Sequence, residues 1–220
     1  MINDDDLEFI KEDMMGIIKG ILEKQLACRT FNKDKVKTWG DEIMEKIYQQ
    51  LKETYSHYGY GIFFYMSERT PYVSNYQNIR HLSTDVNLVV SHQTEDFNSE
   101  IRLIAYLKRG TIPNFSSYSL DYRDLFLNVN NKLFDNLSGR TFDYDKFPDI
   151  IIDVLNDVYK MFISLENKPC FYLPGYINEL PEQGVCFHHK FFDLEYLPVT
   201  FEFSNNSFKC RLFLFLVNNK

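Results

Sequence analysis

The sequence predicts an α+β fold of two tandem modules, each an α-hairpin packed on a four-stranded antiparallel sheet, paired as an intramolecular pseudo-dimer. Three observations carry that prediction. First, the chain repeats itself: Arg29-Thr30-Phe31 returns as Arg140-Thr141-Phe142, and the 40 residues from Arg29 to Glu68 hold eight identities at that spacing, among them Asp34-Lys35 over Asp145-Lys146, Tyr48 over Tyr159 and Glu68 over Glu179. Chance at ordinary composition gives roughly two or three. Second, helical periodicity followed by strand-like runs occurs twice in the same order. Third, 220 residues with 45% apolar content, including 15 Tyr and 20 Phe, suffice for two packed cores. A module of about 100 residues with two helices covers one sheet face only, so its other face needs a partner, which a second module supplies.

The first helix is written in Ile10, Met14, Ile17, Ile18, Ile21 and Leu22, one face at a period near 3.6, with Asp4 to Asp6 as cap and dipole partners. After the Arg-Thr-Phe-Asn connector, Val36, Trp39, Ile43, Ile47 and Leu51 form a second stripe, with Asp41, Glu45 and Lys46 facing away. From Tyr58 the β-formers take over: GYGIFFYMS, the weaker PYVSNYQN, then VNLVVS and EIRLIAYLK around a polar turn at Gln93 to Ser99. Gly, Pro and Ser mark Arg109 to Ser119 as a linker, dividing the chain into 1–108, 109–119 and 120–220.

In the second module, Leu125, Val129, Leu133 and Leu137 form the helical stripe, and Gly139 suits a left-handed cap. Asp143 or Asp145 caps the next helix, which tolerates Pro148 in its first turn and turns Ile151, Val154, Leu155, Val158 and Phe162 inward. Strands are expected from Pro169 to Asn178, interrupted at Pro174-Gly175, then Gly184 to Phe192, Pro198 to Phe203 and Phe208 to Val217, the last two joined at Ser204 to Ser207.

Several function classes are disfavoured. A net charge of −7 argues against nucleic acid, whose recognition needs a basic stripe; it either suits basic peptides or protein surfaces as partners or serves only to keep the chain in solution. With neither an apolar leader nor a membrane-length apolar run, the expectation is a soluble intracellular protein. Cys28, Cys170, Cys186 and Cys210 have no paired spacing and read as reduced, buried thiols. In a strand, His188 and His189 point to opposite faces, and Cys186 with His188 gives too few ligands, so no metal is expected. No nucleophile elbow, phosphate loop or HExxH is present, so neither an enzyme nor a cofactor is expected. The Arg-Thr-Phe repeats read as structural, with Phe plugging the helix turn and Asn32 or Asp143 capping. Trp39 reads as a core anchor.

The segment IIKGILEKQLACRTFNKDKVKTWGDEIMEKIYQQLKET, continuing into YGYGIFFYMSER, resembles the Tctex-type dynein light chains, with Val36 and Trp39 matching their Val-x-x-Trp; the final VTFEFSNNSFKCRLFLFLV resembles their C-terminal hairpin. In the second module Ile150 stands at the Trp position. The resemblance implies a non-catalytic adaptor in which a strand is exchanged between halves. It also implies a dynein intermediate chain, or another motor or axonemal component, bound by strand addition. The implied setting is the cytoplasm and cytoskeleton, with the ciliary axoneme beside it, and a monomeric pseudo-dimer within a larger complex. The exchanged-strand positions are Tyr72 to Asn78 and Val185 to Phe192, which makes Tyr72, Val73, Tyr76, Phe187, His189 and Phe191 the candidate peptide-binding residues. Two alternatives stand beside the adaptor: a structural docking subunit of a ciliary or axonemal complex without free grooves, and an unrelated α+β binder. Free strand edges favour the adaptor, and edges covered by the chain itself favour the docking block.

Overall fold

A computed structural model describes residues 4–68, 72–78, 85–108, 122–143, 145–163, 171–179 and 185–219. The expected linker, 109–119, lies outside the described residues. Helices α1 (Asp4–Leu26) and α2 (Lys33–Thr54) precede strands β1 (Tyr58–Glu68), β2 (Tyr72–Asn78), β3 (Val86–Gln93) and β4 (Phe97–Leu107). Helices α3 (Tyr122–Leu137) and α4 (Phe147–Ile163) then precede β5 (Phe171–Glu179), β6 (Val185–Phe192), β7 (Leu194–Ser204) and β8 (Phe208–Asn219).

The caps of α2 and α4 fall where the sequence places them. Asn32 accepts from the backbone N–H groups of Asp34 and Lys35 at 3.1 and 3.2 Å, and Asp143, 111 residues later, accepts from those of Asp145 and Lys146 at 3.2 and 3.3 Å. The open choice between Asp143 and Asp145 is thereby settled for Asp143. Gly139 takes φ +72° after α3, a conformation in which a Cβ would be strained. Phe31 and Phe142 pack on the cores of their own halves, as the plugs of the two helix turns. Trp39 is half-buried against the first core, with the Arg29 guanidinium 4.8 Å from its ring centroid.

The helical stripes bury as predicted: Met14, Ile18, Val36, Ile43, Ile47 and Leu51 are fully inside the first core, and Val129, Leu133, Ile151, Val154 and Val158 inside the second. The side chains of Leu125 and Phe162 lie outside the described residues. Among the described residues no helix is long and apolar enough to cross a membrane.

The strands form two four-stranded antiparallel sheets, ordered β3-β4-β1-β6 and β2-β5-β8-β7. Each half therefore lends one strand to the other half's sheet: β6 pairs with β1, and β2 pairs with β5. The hydrogen-bond register repeats at the spacing of the sequence repeat. Phe64 pairs with Ile101 and Gly175 with Leu212; Val86 pairs with Ala105 and Leu197 with Leu216.

One packing detail ties the halves together. On α2, Gly40 lies so close to Phe64 that an added Cβ would sit 2.7 Å from its ring. The equivalent positions in the second half are Ile151 and Gly175, and an added Cβ on Gly175 would sit 3.3 Å from the Ile151 side chain. The small residue is on the helix in one half and on the strand in the other, so the same helix-to-sheet gap is filled from opposite sides.

The faces turned away from the helices carry Phe63, Tyr65, Ile104 and Tyr106 from the first sheet and Tyr176 and Phe215 from the second, all buried in a shared aromatic cluster. Tyr65 and Tyr176, equivalent in the repeat, meet edge to face at 6.4 Å. The layers run helix, sheet, sheet, helix.

Three expectations are corrected. Of the cysteines expected inside, Cys210 is buried, but Cys186 is only half-buried and Cys28, in the turn after α1, is exposed. Pro174-Gly175 does not interrupt the strand: β5 is continuous, and β2 pairs alongside it with Tyr76 opposite Pro174. The missing proline donor appears instead as a gap in the β5–β8 ladder at Leu173 and Pro174. The loop expected before Pro198 is also absent. β7 begins at Leu194, and the single residue Asp193, at φ 58°, carries the chain from one sheet into the other. Aspartate tolerates that left-handed backbone better than most side chains.

Candidate strand-addition groove

β6 is an end strand of the first sheet, and among the described residues β1 is its only strand partner. Its side chains alternate. Cys186 and Phe192 pack toward α2 and the first core, and His188 lies on the same side, beside Gly40. Phe187, His189 and Phe191 face the second sheet. The two imidazoles thus diverge, as strand alternation requires.

Burial pushes the His189 imidazole down to about 4, helped by His188, among the rings of Phe63, Phe187, Phe191, Tyr196 and Phe215. Burial also lowers His188, with Lys37 acting in the same direction and Asp41 opposing. Both are neutral aromatic surfaces at pH 7.

Beyond β6 opens a cavity of about 390 Å³, lined by Lys37 and Asp41 of α2, Phe187, His188 and His189 of β6, and Tyr176, Thr200, Arg211 and Phe213 of the second sheet. It is a slot with a helix on one wall, a neighbouring sheet on the other and a strand edge along one side. Phe187 and Phe213 pack at 4.4 Å. Arg211 donates to the Tyr176 hydroxyl at 2.6 Å and to Glu202 at 3.0 Å. Burial would raise the Glu202 carboxyl, but Arg211 and Lys209 outweigh it and hold it below the usual range. Lys190 of β6 bridges to Asp41 at 3.4 Å and Glu45 at 3.8 Å, which ties the strand to α2.

The end of β6 is fixed from the first half. Tyr48 stacks on Phe192 at 4.1 Å and donates to Asp193, and Lys108 reaches the same carboxylate at 2.9 Å. Partial burial would raise the Asp193 carboxyl, yet Lys108, Lys52 and Tyr48 together depress it, so it stays ionised at neutral pH. These contacts join residues far apart in sequence and hold the crossover in place.

Of the sequence-predicted residues, Phe187 and His189 lie at this groove, while Phe191 sits further along, stacked on Tyr196 at 4.4 Å. Tyr72, Val73 and Tyr76 lie in β2, the end strand of the second sheet, opposite Asn178, Ile177 and Pro174; their side chains lie outside the described residues. Lys37, Asp41, Tyr176, Thr200, Arg211 and Phe213 carried no sequence signal, because they come from four separate elements that only the strand exchange brings together. A larger cleft, about 650 Å³, runs along the outer side of α1 and α2 beside Gly16 and Gly20. It is lined by solvated charges such as Lys24 and Glu53 and has no strand edge.

Comparison with known proteins gives one finding: residues 8–96 match the model of the Tctex-1 family. The matched segment runs from α1 into the turn after β3. No curated protein matches the chain.

Proposed function

We propose, from the match of residues 8–96 to the model of the Tctex-1 family, that this chain is a non-catalytic dynein light-chain-like adaptor associated with the cytoskeleton. In this reading, residues 1–108 and 120–220 are two light-chain modules fused through 109–119 into one pseudo-dimer. The partner is a dynein intermediate chain or another motor or axonemal component. It binds as an extended segment added to the edge of β6, with backbone hydrogen bonds supplying affinity and the slot between α2 and the second sheet supplying selectivity.

The observation that carries this reading is the position of β6: an exchanged strand at the end of its sheet, with a slot beside it. A docking block without free grooves is the less favoured reading, because such a block would cover that edge, and among the described residues no strand pairs with it.

Thr200 provides the test. It is exposed on the floor of the slot and belongs to neither hydrophobic core. Thr200→Trp is expected to fill the slot and weaken binding of an intermediate-chain segment by more than about tenfold, roughly 1.4 kcal/mol, while the thermal midpoint stays within a degree or two. Calorimetry with the isolated segment reads the first quantity and a thermal melt the second. Equal affinity for wild type and variant would place binding elsewhere.

A further inference from the structure

The charges around the groove differ from those of the chain as a whole. The chain carries −7, yet the ionisable residues that line the slot are Lys37, Asp41 and Arg211, with neutral His188 and His189 between them. Most of the neighbouring charges are matched. Lys190 serves Asp41 and Glu45, and Glu202 takes both Lys209 and Arg211. Lys37 has no carboxylate partner among the described residues: the Asp41 carboxylate one turn along α2 is taken by Lys190.

The two walls also differ in character. The α2 wall is charged, while the opposite wall is the aromatic pair Phe187 and Phe213 with Tyr176 behind it. A strand lying between them presents successive side chains to opposite walls.

We infer that the β6 groove selects an extended acidic-aromatic segment, one that places a carboxylate on Lys37 and, on the adjacent positions, apolar or aromatic side chains on Phe187 and Phe213. This rests on the strand-addition reading and specifies the ligand it would take. It reverses the expectation drawn from net charge, because the charge that matters is the one left unmatched in the slot. The overall acidity then disfavours strongly acidic segments elsewhere on the surface, which sharpens the preference to a single carboxylate among apolar neighbours.

The test uses the full chain and a displayed library of random dodecapeptides, followed by titration of the enriched sequences against wild type, Lys37→Gln and Lys37→Glu, with amide-exchange protection of β6 as the locator. Lys37 is an exposed helix residue outside the core, so the variants are expected to fold. The expected result is enrichment of Asp or Glu flanked by Phe, Tyr, Leu or Ile, with protection of β6. Affinity should drop about threefold in Lys37→Gln and about tenfold in Lys37→Glu, and replacing the peptide carboxylate by Lys should restore binding to Lys37→Glu. Peptides that protect β6 but show no acidic preference, or bind all three proteins equally, overturn the inference and leave strand addition standing. Enriched peptides that leave β6 exchange unchanged overturn strand addition itself.

Discussion

Gly40→Ile is expected to destabilise the first half by about 1–3 kcal/mol, the usual cost of overpacking a filled core, even though isoleucine is the better helix former. The new side chain has no room, since its Cβ alone would lie 2.7 Å from Cδ1 of Phe64, a ring with no solvent exposure, and 3.5 Å from His188. Phe64→Gly alone leaves a void and is expected to cost about 3–5 kcal/mol, as for other buried aromatic truncations. The combination differs from their sum, because it writes into the first half the arrangement that Ile151 and Gly175 already use in the second. The double variant should be more stable than additivity predicts by about 2 kcal/mol. Urea unfolding followed by the fluorescence of Trp39, the single tryptophan, reads the first half directly. Additive losses would mean that the two helix-to-sheet gaps are not equivalent.

The second large effect concerns separation of the halves. Residues 1–108 alone lack β6, so β1 loses its partners from Tyr60 to Ser67, and β2 has no β5 to join. The face carrying Phe63, Tyr65, Ile104 and Tyr106 loses its cover as well. Each such side chain contributes roughly 1.5–3 kcal/mol through burial, and a whole domain is stable by only about 5–15 kcal/mol. The loss is therefore comparable to the total stability. Residues 1–108 and 120–220 expressed separately are expected to aggregate or to pair with copies of themselves, and co-expression should give a soluble one-to-one complex. Size-exclusion chromatography with circular dichroism distinguishes these outcomes. A monomeric 1–108 that unfolds cooperatively would show that the exchanged strand is dispensable.

Much of this architecture is legible in the sequence, for local reasons. Helix stripes follow from a 3.6-residue period, and Asn32, Asp143 and Gly139 mark helix ends through hydrogen bonds and backbone freedom that operate over a few residues. The repeat of Arg29-Thr30-Phe31 announces the equivalence that the sheet registers display. What escapes the sequence is non-local. Pro174 reads as a breaker, but a strand with partners on both sides tolerates a short gap in one ladder. The turn between β6 and β7 is compressed into Asp193, whose role depends on Lys108 and Tyr48, 85 and 145 residues away. The groove shares this property: Phe187 and His189 are visible as residues of an exchanged strand, whereas Lys37, Thr200 and Arg211 become neighbours only after that strand has crossed.

The strand exchange occurs within one chain, β6 pairing with β1 and β2 with β5. The mass of the pure protein by light scattering at two concentrations tests it most directly. A concentration-independent 26.2 kDa is expected. A stable mass of about twice that value, unchanged on dilution, would place the exchanged strands between chains and contradict the internal pair.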